Sequence, residues 1–249
     1  MCIFKVEKRL RISTFFLFPF RLITRFYEIF TFQSIKKNNN IKAFSNYFLD
    51  ISKIDKKSEL TIISGGIAYN TYFEEELKNK YRIKNLILID PSICSNNYAL
   101  KKIDKFFFEN KALSNKNKNN VKIFLPPSIK EVNVSLDNTF NTKNYEFVDT
   151  ITISYLKKKY QLNKIDILKL DIEGVADIVI LDCLKNKIFP NQICFELERP
   201  YAISRQYEFY KRTNKLVKEL KKFYDIYFYT DQKKGIRLEL LTVLKSDYF

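Results

Sequence analysis

Two acids separated by one residue, Asp171 and Glu173, interrupt the stretch KIDILKLDIEGVADIVILDCL that runs from Lys164 to Leu184. Carboxylates at such a point are candidates for moving a proton. The chain contains no histidine, so acid–base work here falls to Asp, Glu, Lys, Tyr, Cys or water. Further acids close other apolar runs, Asp90 after NLILI and Glu196 and Glu198 in QICFELE, and a glycine pair, Gly65 and Gly66, follows LTIIS. A purely structural reading competes for the first pair: Asp171 capping a helix and Glu173 in its first turn, stabilising the dipole.

The elements that must position these residues are legible around them. Ile165 to Leu170 reads as a short strand buried on both faces of a parallel sheet. Gly174 frees the backbone to turn, and Val175, Ile178, Val179, Leu181 and Leu184 recur at helical spacing. In open α/β sheets ligands bind beyond the carboxyl ends of the strands, where these acids fall. Leu60 to Ile63 predicts another strand, with Ser64, Gly65 and Gly66 as a tight turn that a ligand could approach closely, and a helix beginning at Tyr72. Leu86 to Ile89 predicts a strand ending in Asp90, the position where nucleotide-binding α/β folds place a carboxylate for ribose hydroxyls.

A third strand is expected over Phe106 to Lys111, followed by Ala112, Leu113 and Ser114. Asn115 to Asn120 reads as a polar loop, VKIFLPP and NYEFVDT as a hairpin-like excursion, and Ile153 to Tyr160 as a helix. Gln192 to Leu197 is a further strand. A long basic helix over Ser204 to Phe223 leads to YDIYFYT and RLELLTVLK, an antiparallel pair turning near Lys234 and Gly235. Alternating strands and helices closed by a hairpin predict a three-layer, Rossmann-like α/β fold with a mostly parallel sheet.

Ahead of this domain, taken as residues 59–249, residues 1–34 form a basic appendage. From Pro19, Leu22, Ile23, Phe26, Tyr27 and Phe30 share one helical face, which suits docking on the domain, a partner contact or an anionic membrane surface. The apolar run Phe15 to Phe20 is too short to span a bilayer and lacks a signal-peptide cleavage site. Residues 35–58 read as a linker, IKKNNNIK, and a lead-in helix carrying Ile41, Phe44, Phe48 and Ile51.

With 249 residues and 46% hydrophobic content the chain can bury one sizeable core. Its net charge of +16 is spread along the chain with no nucleic-acid reader motif, so the charge reads mainly as solvated surface. The four cysteines show neither CxxC spacing nor histidine partners. They indicate neither zinc nor a disulfide framework, and a reducing compartment fits.

IDILKLDIEG, SGGIAYN, the IDPS after the second strand and ENKALS together resemble the FkbM family of S-adenosylmethionine-dependent methyltransferases, over roughly Leu60 to Leu244. That resemblance implies the seven-stranded methyltransferase fold. It implies that Ser64, Gly65 and Gly66 bring backbone N–H groups to the cofactor's methionine and ribose end, with Asn70 closing the same motif. Asp90 would accept from the ribose hydroxyls, Ser92 and the Ala112–Leu113 pair would flank the adenine, and Asp171 would lie beside the methionine moiety and the acceptor. Two departures stand out: Ala68 replaces a third loop glycine, and Ala176 replaces an acid two residues after Gly174, with Asp177 as its neighbour.

The function implied is O-methylation of a sugar hydroxyl in a polysaccharide, lipid-linked glycan or glycosylated metabolite, in the cytoplasm or at the inner face of the membrane. A basic exterior suits an anionic acceptor. The base is expected to be Asp171 or Glu173 ahead of Glu196, since the first two share the loop nearest the methyl. Three carboxylates from separate strands give a divalent cation little support, and no metal ligand is assigned. An RNA methyltransferase and a non-catalytic scaffold are the rival readings.

Overall fold

The computed structural model describes residues 33–34, 38–126, 134–138, 142–198, 203–229 and 237–248. Near-continuous Val, Ile and Leu runs dictate strands covered on both faces. These are β4 (Leu60–Gly65), β5 (Ile83–Ile89), β10 (Ile167–Leu170) and β11 (Gln192–Glu198). The sheet is completed by β12 (Tyr224–Tyr229) and β13 (Arg237–Leu244) and by the short edge strands β1 (Gln33–Ser34) and β6 (Phe107–Glu109). They hydrogen-bond in the order β1-β12-β13-β11-β10-β4-β5-β6. β13 runs antiparallel to both β11 and β12, and the other pairings are parallel. A mostly parallel seven-stranded sheet with an antiparallel C-terminal pair is therefore present as expected. The two-residue β1 adds an eighth strand at the edge.

Side chains alternate across this sheet, and two cores result. One face packs Ile63, Leu168, Leu170 and Phe195 under α3 (Ile153–Lys159), α4 (Ala176–Lys185) and α5 (Ile203–Leu220). The other packs Leu60, Ile62, Leu88 and Cys194 under α1 (Tyr72–Lys80), α2 (Ile93–Leu100) and a small hairpin.

That hairpin corrects an expectation. Residues read as a lead-in helix form β2 (Ile41–Phe44) and β3 (Tyr47–Asp50), paired antiparallel, with Ser45 at a φ of 52° in the turn. The reason is tertiary. The buried Gln192 side chain accepts from Asp50 N at 2.8 Å and donates to Asp50 O at 3.0 Å, so β3 is tied over β11 like a missing helix.

The excursion is also built of strands: β8 (Lys118–Phe124) pairs antiparallel with β9 (Tyr145–Ile151), and β7 (Ala112–Leu113) joins β9 in parallel. β8 begins within the segment expected to be a polar loop. The N-terminal amphipathic helix and the turn near Gly235 lie outside the described residues. No described helix is long and apolar enough to cross a membrane.

Candidate active site

From β4 the chain winds outward through β5 to β6, then returns to lay β10 and β11 on the other side of β4. Strand order reverses between β4 and β10, and a crevice opens there, beyond their carboxyl ends. Both loops that flank it carry expected site residues.

The β4 loop turns at Gly66, where φ is +75°. A Cβ there would lie 1.8 Å from the Asp171 carbonyl oxygen, so the glycine is required by the crossing of two backbones rather than by a ligand. Gly66 N donates to Ile89 O at 2.9 Å, and Gly65 O accepts from Asp171 N at 3.0 Å. The loop is welded to both neighbouring strands. Ala68, in the place of the third glycine, adopts a φ of +46°. Ser64 is fully buried, and its hydroxyl bonds to Glu74 rather than facing the crevice.

Asp90, only 6% exposed, has its lone pairs fully used. One oxygen accepts from Ile67 N and Ala68 N at 3.0 and 2.9 Å. The other accepts from Ser92 N at 2.8 Å and Ser95 Oγ at 2.9 Å. A carboxylate offers about four acceptor directions, so Asp90 binds the two loops together instead of presenting an open acceptor. Ser92 contributes its backbone to that knot.

Asp171 and Glu173 lie in the loop ahead of α4, whose N-cap is Val175 without a side-chain cap. Neither acid caps the helix, which sets the structural alternative aside. The Asp171 side chain is 40% exposed, with one oxygen 3.9 Å from Lys169 Nζ. Lys169, buried on the central strand, also donates to Gly66 O at 3.1 Å and lies 3.8 Å from the buried Glu74. Glu173 is buried, and its Oε2 has no hydrogen-bond partner among the described residues, an arrangement costly unless a further donor is supplied.

Gly66, Asn70, Asp90, Ala112, Leu113, Asp171 and Glu173 line one cavity of about 380 Å³, within the size range of cofactor sites. Ile123, Val134 and Leu136 of the excursion form part of its wall, and Ser135 Oγ donates to Glu173 O at 2.8 Å. Ser64, Gly65, Ser92 and Glu196 are not among its lining residues; Glu196 is buried within β11. A larger groove of about 580 Å³ lies at the opposite ends of the strands, lined by Lys53, Lys157, Lys164 and Lys187. It touches neither loop, so position rather than size selects the crevice. Among the described residues no cluster of three His, Cys, Asp or Glu could hold a metal ion.

One contributor carried no signal in the sequence. Arg212 of α5 reaches the acid loop and binds Asp177 through two nitrogens at 2.8 and 2.5 Å. It also binds Asp137 at 2.9 Å and Gly174 O at 2.8 Å. The charged hydrogen bonds to Asp177 and Asp137 outweigh burial and push the guanidinium pKa up. Asp177 is thus a structural anchor, one residue along from the acid that Ala176 lacks.

The family model of the methyltransferase FkbM domain matches residues 56–198, more than half of this chain. Among solved structures, it is similar to methyltransferase FkbM from Methylobacillus flagellatus KT, at 9% identity and a TM-score of 0.45. The match covers 74% of this chain and 43% of that one, so the chain spans less than half of that relative's length. It is also similar to the Methanococcus jannaschii fibrillarin pre-rRNA processing protein, at 8% identity and a TM-score of 0.43, over 82% of this chain and 70% of that one. No curated protein sequence matches it.

Proposed function

The chain belongs to the methyltransferase FkbM domain family, and we propose that it is an S-adenosylmethionine-dependent O-methyltransferase acting on a sugar hydroxyl. The observation that supports this reading is that Asp171 and Glu173 line the same crevice as Ala112 and Leu113, at the strand-order reversal. The apolar pair suits an adenine ring, and the acids suit a cationic centre and a hydroxyl.

When bound, the cofactor supplies a sulfonium methyl, which passes to oxygen as the carbon–sulfur bond breaks and sulfur leaves as a neutral thioether. The protein's own part is alignment, exclusion of water and removal of one proton. Asp171 is partly exposed into the cavity, so it takes the hydroxyl proton and can release it to solvent. Glu173, buried with Oε2 unpartnered among the described residues, accepts a hydrogen bond that orients a ligand. Asp90 acts by holding both loops that shape the ribose end.

The test is transfer from labelled S-adenosylmethionine to a panel of methyl glycosides of neutral hexoses and hexuronic acids, with RNA as the rival acceptor. Label on a sugar oxygen supports the proposal. Label on RNA alone, with affinity falling steeply as salt rises, overturns it in favour of a nucleic-acid enzyme.

A further inference from the structure

The ribbon that walls the crevice has a second face. In the antiparallel pairing of β8 and β9, Lys122 stands opposite Phe147 and Phe124 opposite Tyr145, and directly paired residues point to the same side. Ile123, between Lys122 and Phe124, points the other way and is buried in the crevice wall. One face of the ribbon therefore serves the crevice, while the other keeps aromatic rings in water. Tyr145 is 43% exposed and Phe147 56%. Their rings meet edge-on at 5.6 Å, Phe124 lies 6.5 Å from Tyr145, and Lys122 Nζ stands 4.1 Å over the Tyr145 ring.

Cross-strand pairing accounts for Phe124 and Tyr145, which stabilise the ribbon against each other. It does not account for Phe147, which faces a lysine and stays more than half exposed. A contiguous exposed aromatic cluster marks a surface that binds a ligand or partner. This cluster is continuous with the crevice. Asp149, two residues beyond Phe147 and so on the same side, pairs with Lys111 at 3.2 Å, and Lys111 lines the crevice. From Asp149 to Tyr145 the strand covers about 13 Å, room for more than one sugar ring.

The chemistry of the face suits such a ligand. One side of a pyranose ring presents C–H groups made electropositive by neighbouring oxygens, and these pack against the negative faces of aromatic rings. Lys122, held over Tyr145, supplies a charge for a carboxylate. We propose that the outer face of β8 and β9 is a subsite for an anionic glycan chain, with Tyr145 and Phe147 stacking sugar units that flank the methylated one and Lys122 meeting a uronate carboxylate. This rests on the functional reading above, in which a sugar hydroxyl enters the crevice.

The experiment is equilibrium dialysis of the full chain against a galacturonate hexamer, methyl galacturonide, maltohexaose and an oligouridylate hexamer. The galacturonate hexamer should bind at least about tenfold more tightly than methyl galacturonide or maltohexaose. Phe147→Ala and Lys122→Gln, both at exposed positions, should each weaken the hexamer by about fivefold or more and leave methyl galacturonide within about twofold. In transfer assays the same split should appear in KM for the two acceptors, with KM for S-adenosylmethionine unchanged. Equal affinity of the wild type for hexamer and methyl galacturonide, or an unweakened hexamer in both variants, overturns the subsite. So does oligouridylate bound more tightly than the galacturonate hexamer, which makes the face a nucleic-acid surface, or a dimer that Phe147→Ala dissociates, which makes it an interface between copies. If Phe147→Ala does not fold, Lys122→Gln decides by the same readings. Hexamer binding that depends on Phe147, without transfer to any glycoside, supports the subsite and overturns the functional reading. Transfer to methyl glycosides with no preference for the hexamer does the reverse.

Discussion

Gly66 and Asp171 touch through their backbones: a methyl group on the glycine would sit 1.8 Å from the Asp171 carbonyl oxygen. The turn after the first long strand and the acid loop of the central strand are therefore one rigid object. Gly66→Ala adds a left-handed alanine, costing about 1–2 kcal/mol, and forces two backbones apart. A total loss of at least about 3 kcal/mol is expected. Urea denaturation measures it, and a stability within 1 kcal/mol of wild type would show that the loops part easily.

Ala68 carries the opposite opportunity. Its φ of +46° strains any residue with a Cβ, whereas glycine pays only in the unfolded chain. Ala68→Gly should stabilise the protein by about 0.5–1 kcal/mol, read as a higher urea midpoint with an unchanged slope.

Arg212 clamps the loop that carries both acids. Arg212→Ala strands Asp177, which is 5% exposed, as a buried unpaired charge, at a cost of about 3 kcal/mol. Arg212→Lys keeps the charge but cannot span both Asp177 oxygens and the Gly174 carbonyl together. Its stability should fall between the two. Thermal unfolding of the three proteins gives the order.

The buried thiols supply a pH prediction. Burial pushes Cys183 up from an ordinary value of 9.0 to about 12, and burial also raises Cys194. Both are neutral in the folded protein when the unfolded chain begins to ionise. Their contribution to stability is complete below about pH 9 and lost as pH rises toward 12. At pH 8 a thiol reagent should modify the exposed Cys94, leaving Cys183 and Cys194 unlabelled until denaturant is added. Mass spectrometry of the modified peptides checks this.

The parts of the fold legible in the sequence are those decided locally. Runs such as Leu60 to Ile63 and Leu86 to Ile89 have no other stable home than the middle of a sheet, and Asp90 and Asp171 follow from where such strands end. The hairpin was hidden because Ile41, Phe44 and Phe48 imitate a helical stripe, whereas the bond that decides the matter comes from Gln192, 142 residues away. Asp90 was found by position but not by partners, since four donors from two loops converge only in the folded chain. Arg212 is hidden for a related reason. One arginine on a basic helix looks like its neighbours until the acid loop is placed beside it.

Asp171→Asn keeps the size of the side chain and removes its basicity, so it separates binding from chemistry. Calorimetric titration with S-adenosylhomocysteine, paired with the rate of label transfer to the glycoside panel, is the most direct measurement. If Asp171 is the base, Asp171→Asn binds the cofactor within about threefold of wild type and transfers label at least about a hundredfold more slowly. An Asp171→Asn protein that transfers label at the wild-type rate would contradict the account, as would a wild type that binds no cofactor at millimolar concentration.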